Sequence, residues 1–186
     1  MPLMDIFKQS QISYDWKTVY AGIKLDLLKP SEITSYAVEL VTRRSEINDQ
    51  NFIQLAWGED PDNEIVLIRL LEELGVQDLD LDADIWQIEK RKWRFALLAS
   101  LKMKYPDDLK ELLNQVAEVY ADFDYPEDME SFINYLPPPK GFDHSRYTKE
   151  ENIVRLITSF NEFLTKEQHF LQHATELGTE NIPEGD

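Results

Sequence analysis

The sequence predicts an all-α protein of about eight helices, arranged as a single helical bundle or a short α-solenoid-like stack. Three observations carry this. Apolar residues recur with the 3.6-residue helical period in one segment after another. Between those segments stand helix starts and stops, chiefly Pro-acid pairs and isolated glycines. No alternating run is long enough for a strand, since Leu79 and Leu81 alternate only with aspartates, which strands disfavour.

Trp16, Val19, Tyr20 and Ile23 form the i, i+3, i+4, i+7 stripe of a first helix, with Ser13 or Asp15 as its cap. Pro30-Ser31 opens a second, striped by Ile33, Tyr36, Ala37, Leu40 and Val41. A short third runs from Asn51 to Trp57 and stops at Gly58. The fourth starts at Asp60-Pro61, where a missing N–H costs nothing, and ends at Gly75. Its Ile65, Val66, Leu67, Ile68, Leu70, Leu71 and Leu74 are apolar on nearly every side, the pattern of an enclosed helix.

The fifth helix spans Ala83 to Lys104, with Trp86, Trp93, Leu97 and Leu101 facing inward and Glu89-Lys90-Arg91-Lys92 read as a solvated run. Pro106-Asp107-Asp108 begins the sixth, striped by Leu109, Leu112, Leu113, Val116 and Tyr120. Pro126-Glu127-Asp128 begins the seventh, with Met129, Phe132, Ile133 and Leu136. Pro137-Pro138-Pro139-Lys140-Gly141 is a stiff connector that no helix crosses. Thr148 with Glu151 is a capping box opening the eighth helix, striped by Ile153, Leu156, Ile157, Phe160 and Leu164. One helical domain is expected over residues 1–177, followed by a flexible acidic tail over 178–186.

Composition excludes whole classes of function. The chain has 186 residues, 42% of them hydrophobic, which is enough for a substantial core. Thirty-six acids against nineteen bases leave a net charge of −17, which repels a nucleic-acid backbone and an anionic membrane surface alike. Without a cysteine there is no disulfide, no thiolate metal site and no thiol nucleophile. The longest apolar run, Phe95 to Ala99, is far short of the ~20 residues that span a bilayer. The first residues hold no signal-peptide core, so a cytoplasmic location is expected.

The negative charge is concentrated. Ten acids and one base lie between Glu59 and Asp84, and nine acids and one base between Asp107 and Glu130. The rest of the chain is balanced. Two such segments on a neutral scaffold would steer a basic partner and hold it by complementary potential. Acids also cap helices and keep a surface in water, and that use accounts for many of them without any partner.

Asp78, Asp80, Asp82, Asp84 and Glu89 fall at positions 1, 3, 5, 7 and 12 of a calcium-loop register. Against this, Ala83 holds the sixth position, where the turn needs glycine, and no second loop is available to pair with it. His169 and His173 have the i, i+4 spacing of a chelating pair, with Glu176 as a conceivable third ligand, yet the glutamate of a metalloprotease helix is replaced by Phe170. No metal site and no cofactor are expected. No phosphate loop, nucleophile elbow or kinase signature occurs, so an enzyme is not expected either.

Asp122, Asp124, Glu127, Asp128 and Glu130 are interleaved with Phe123 and Tyr125 and flanked by Tyr120 and Tyr135. Aromatics give contact area at low entropic cost and charges give steering, so this segment is the expected contact surface. The partner-binding residues expected are Glu59, Asp60, Asp62, Asp122, Phe123, Asp124, Tyr125, Glu127 and Asp128.

The stretches Ile12-Ser13-Tyr14-Asp15-Trp16-Lys17-Thr18-Val19-Tyr20-Ala21-Gly22-Ile23 and Tyr120-Ala121-Asp122-Phe123-Asp124-Tyr125-Pro126-Glu127-Asp128-Met129 resemble a bacterial family catalogued as domain of unknown function 2247. The resemblance covers residues 10 to 175 and brings no catalytic residues with it. Small acidic proteins of this kind resemble the immunity proteins of bacterial polymorphic-toxin systems, which block a cognate toxin in the cell that makes it. The resemblance thus implies a non-enzymatic acidic module that occludes a basic toxin. The alternative is a calcium- or metal-binding regulatory protein using Asp78 to Glu89.

Overall fold

The computed structural model describes residues 4–29, 31–43, 50–57, 63–137 and 148–179. Among them are eight α-helices, two 3-10 segments and no strand. The helices are α1 (Asp5–Ser10), α2 (Trp16–Lys24), α3 (Ser31–Arg43), α4 (Gln50–Trp57), α5 (Asn63–Glu73), α6 (Gln87–Lys104), α7 (Leu109–Asp122) and α8 (Lys149–Thr179). The 3-10 segments are Asp84–Trp86 and Glu127–Phe132. The chain folds into two compact units, one of Met1–Asp5 with Tyr14–Trp93, the other of Ile6–Ser13 with Arg94–Asp186. The Pro138–Gly141 part of the connector and most of the expected tail lie outside the described residues.

In the first unit, α2 starts at Asp15, whose carboxylate accepts from the Lys17 and Thr18 amides while Thr18 Oγ1 accepts from the Asp15 amide. Helix α3 packs against α4 and α5, and α5 against α2 and α4. Ile33, Tyr36, Ala37, Leu55, Val66, Leu67, Leu70 and Leu71 are buried, as the 3.6-residue stripes require. Trp16 meets Tyr36 edge-on at 4.6 Å. Helix α5 departs from the enclosed helix that its sequence suggests, because Ile65 and, one residue past its end, Leu74 are exposed. Among the described residues, α2, α3 and α4 cover one broad face of it.

Gly22 is needed where α2 meets the Trp93 ring. A Cβ on Gly22 would collide with Trp93 Cζ2 and come within 2.8 Å of Leu28 Cδ1. The indole cannot swing away freely, since its Nε1–H donates to the Thr18 carbonyl at 2.7 Å. Alanine would add about 1 kcal/mol of helix propensity, but overpacking in the upper part of the usual range, about 2–3 kcal/mol, opposes it at a site with no slack. Gly22→Ala is therefore expected to lower stability by about 1–2 kcal/mol in urea unfolding, and Gly22→Val by more. A neutral or stabilised Gly22→Ala would show that the ring does not sit on this helix.

In the second unit, α7 is capped by Asp108, which accepts from the Glu111 amide, and buries Leu112, Leu113, Val116, Val119 and Tyr120. Helix α8 opens with the expected capping box: the Thr148 amide donates to Glu151 and the Glu151 amide to Thr148 Oγ1. The α-helix expected after Pro126 is instead a 3-10 segment. Its buried Met129 and Phe132 are three residues apart and eclipse on one side of a 3.0-residue turn, which suits a short element pressed onto a neighbour. That neighbour is α8, whose Phe160 and Phe163 rings lie 5.5 and 5.1 Å from Phe132.

Candidate functional site

The aromatic and acidic corner is built where α7 ends and the 3-10 segment begins. Helix α7 closes with the Asp124 amide donating to the Ala121 carbonyl and the Tyr125 amide to the Tyr120 carbonyl. This double closure places Asp124 in the left-handed region at φ 62°, where a short polar side chain is tolerated in place of glycine. Tyr125 follows at φ 57°, which is uncommon for a bulky residue and costs about 1–3 kcal/mol that the surrounding packing has to offset. The result is a sharp reversal that carries the Tyr125 ring back over the helix end.

Three tyrosines meet there. Tyr120 is buried at 4% exposure, while Tyr125 and Tyr135 are each 58% exposed. The Tyr125 ring stands edge-on to Tyr120 at 5.3 Å, and the Tyr135 ring is tilted against it at 6.5 Å. Burial raises the Tyr120 phenol above its ordinary value, followed by Glu130 and then by the two neighbouring phenols. The Glu130 charge acts in that direction because it opposes formation of a phenolate.

Asp122, Asp124 and Glu127 are exposed, and Phe123 is half-buried as the cap of α7. Among the described residues, neither these three acids nor Glu130 is ion-paired. Asp128 differs. Its carboxylate accepts from Arg94 Nη2 at 2.5 Å, and the same Nη2 lies 3.7 Å from Glu167. Arg94 and Glu167 are buried, and the guanidinium lies 5.5 Å from the Phe163 ring. Asp128 is thus a structural tie at the start of the 3-10 segment as well as a surface acid. The remaining expected contact residues, Glu59, Asp60 and Asp62, lie outside the described residues.

The calcium-register acids do other work. Asp78 accepts from the Asp80 amide and Asp80 from the Asp82 amide, both at 3.0 Å, and Asp82 pairs with Lys90. Glu89, the twelfth position, has other partners. It accepts from Thr18 Oγ1 at 2.6 Å and from Lys92 Nζ at 2.9 Å. Glu89 and Lys92 are buried, so the run Glu89 to Lys92 is not the solvated face that the sequence suggests. His169 and His173 are exposed and stack at 4.1 Å, with His173 Nδ1 against the His169 carbonyl. Among the described residues, no three metal-ligating side chains are placed to hold an ion, and no helix is long and apolar enough to cross a membrane.

Sequence reasoning missed Arg94 as part of this corner. The available signal was an arginine set between Trp93 and Phe95-Ala96, all apolar and all buried here. A cation in such a setting needs a carboxylate.

The described residues make this an all-helical protein with an exposed acidic and aromatic corner. The profile of the bacterial family DUF2247, described as an uncharacterized protein conserved in bacteria, matches residues 4–168, and the chain belongs to that family. No curated protein and no solved structure matches it.

Proposed function

We propose that this chain is a non-enzymatic binding protein whose acidic corner covers a basic protein, most concretely a bacterial toxin held inactive in the cell that produces it. The observation that supports this reading is the pairing, at one helix end, of exposed tyrosine rings with four carboxylates that form no ion pair among the described residues. From Glu111 to Pro139 the sequence holds no basic residue, and the buried Arg94 is already answered by Asp128 and Glu167. A cationic groove on a partner would be drawn in electrostatically and then sealed by the rings.

The deciding experiment is genetic. If the adjacent gene encodes a large secreted protein with a basic C-terminal domain, expressing that domain alone should stop growth, and co-expressing this chain should restore it. Continued growth arrest, with no complex between the two purified proteins, would remove the toxin reading. Kinetics of the complex test the surface itself. Association is expected to slow at least about tenfold between low and high salt, because exposed charges are screened beyond ~8–10 Å. The double reversal Asp122→Lys with Glu127→Lys should slow it similarly at low salt. Reversing the exposed Glu150 and Glu162 should do much less. Equal effects of the two reversals would show that net charge alone, rather than this corner, guides the encounter.

A further inference from the structure

The proposed contact surface has a more specific chemistry than negative charge. Two exposed rings, Tyr125 and Tyr135, lean on one buried ring, Tyr120, at 5.3 and 6.5 Å. Tyr125 and Tyr135 are exposed residues although both sit at a packed corner. Aromatic rings left open in this way bind well to something flat or cationic, since a ring face carries negative quadrupole potential. Glu130 lies exposed in the 3-10 segment that joins Tyr125 to Tyr135, and it is free of ion pairs among the described residues. A second copy of this chain is a poor occupant, because it brings another −17 of charge.

We infer that the Tyr120, Tyr125 and Tyr135 rings together with Glu130 form a receptor for a guanidinium group, presented by an arginine side chain of the basic partner. This rests on the reading above and names the group recognised. Arginine suits the corner better than lysine for physical reasons. Its guanidinium is planar, stacks on ring faces, forks onto a carboxylate and is more weakly hydrated than an ammonium. The same molecule shows that pairing internally, where Arg94 lies against the Phe163 ring while its Nη2 engages carboxylates.

The test uses the full chain and three defined probes: an octapeptide of alternating arginine and glycine, its lysine counterpart and its uncharged citrulline counterpart. Calorimetry at low salt should show the arginine peptide binding about fivefold or more tighter than the lysine peptide, with no measurable citrulline binding. Tyr125→Ala and Tyr135→Ala should each weaken the arginine peptide by about fivefold, and Glu130→Gln by a similar factor. Tyr125→Phe should retain most of the affinity, because a phenyl face also attracts cations, and it serves where an alanine variant is poorly folded. Equal affinity for the arginine and lysine peptides, unaltered binding by folded ring variants, or no binding of any peptide would each overturn the assignment. In those cases the salt and charge-reversal kinetics still judge the broader reading separately. If reversal at Asp122 and Glu127 slows the partner while the ring variants change nothing, the surface stands and the guanidinium receptor does not.

Discussion

Lys92→Met is expected to lower the unfolding free energy by about 3–5 kcal/mol, the usual penalty for leaving a buried charge without its partner. The Lys92 and Glu89 side chains are 7% and 4% exposed and meet at 2.9 Å. Methionine keeps most of the aliphatic stem of lysine, so the loss would come from charge and not from packing. Glu89 would then keep only the Thr18 hydroxyl. The pair itself is a different matter, because taking two ions out of water offsets much of their attraction. The double variant Glu89→Leu with Lys92→Met should therefore recover most of the loss. Denaturant midpoints at unchanged m measure both effects. A single variant within about 1 kcal/mol of wild type would mean that water reaches the pair in solution.

Arg94→Met is expected to cost about 1–3 kcal/mol, because it withdraws a buried cation from beside the buried Glu167 carboxylate. Glu167 is 5% exposed in its side chain, whereas Asp128 is 47% exposed, so losing Asp128's partner contributes little. Asp128→Asn should accordingly cost less than about 1 kcal/mol. Arg94→Lys should fall between wild type and methionine, since an ammonium keeps the charge but loses the planar group that lies against the Phe163 ring. The variants also separate folding from binding. Asp128→Asn removes a surface acid while leaving the Arg94–Glu167 contact, so it should slow a basic partner more than it affects stability. If Asp128→Asn proved as damaging as Arg94→Met, the tie to the 3-10 segment would be the dominant interaction and Glu167 a bystander.

The parts of the fold legible in the sequence are those that local chemistry decides. Helices α2, α3, α4, α7 and α8 lie where their apolar stripes put them, to within a few residues. Asp15, Asp108 and Thr148 cap helices because a carboxylate or hydroxyl within one turn can satisfy the first free amides. Helix α1 is not legible in this way, because its six residues are too short to show a period. The segment after Pro126 has a proper helix start, yet it becomes a 3-10 turn. Its length and the i, i+3 spacing of Met129 and Phe132 leave the choice of turn to the surface it packs on.

The candidate site divides in the same way. Sequence alone determined that acids and aromatics interleave from Tyr120 to Tyr135, because composition is local. It did not determine that Tyr125 and Tyr135 stay exposed around a buried Tyr120, nor that Asp128 is tied to Arg94, 34 residues away. Nor did it separate the acids that face water from those that face a buried cation. Glu89 reads as the end of a calcium register or part of a solvated run, and its hydroxyl partner, Thr18, lies 71 residues off. A charge is solvated or buried according to what packs over it, and that cover comes from elements distant in sequence. Sequence by itself therefore determined the all-helical class, the helix caps and the placement of negative charge along the chain. Only tertiary structure decided which charges hold the protein together and which remain available to a partner, because burial, unlike helical periodicity, is not a local property.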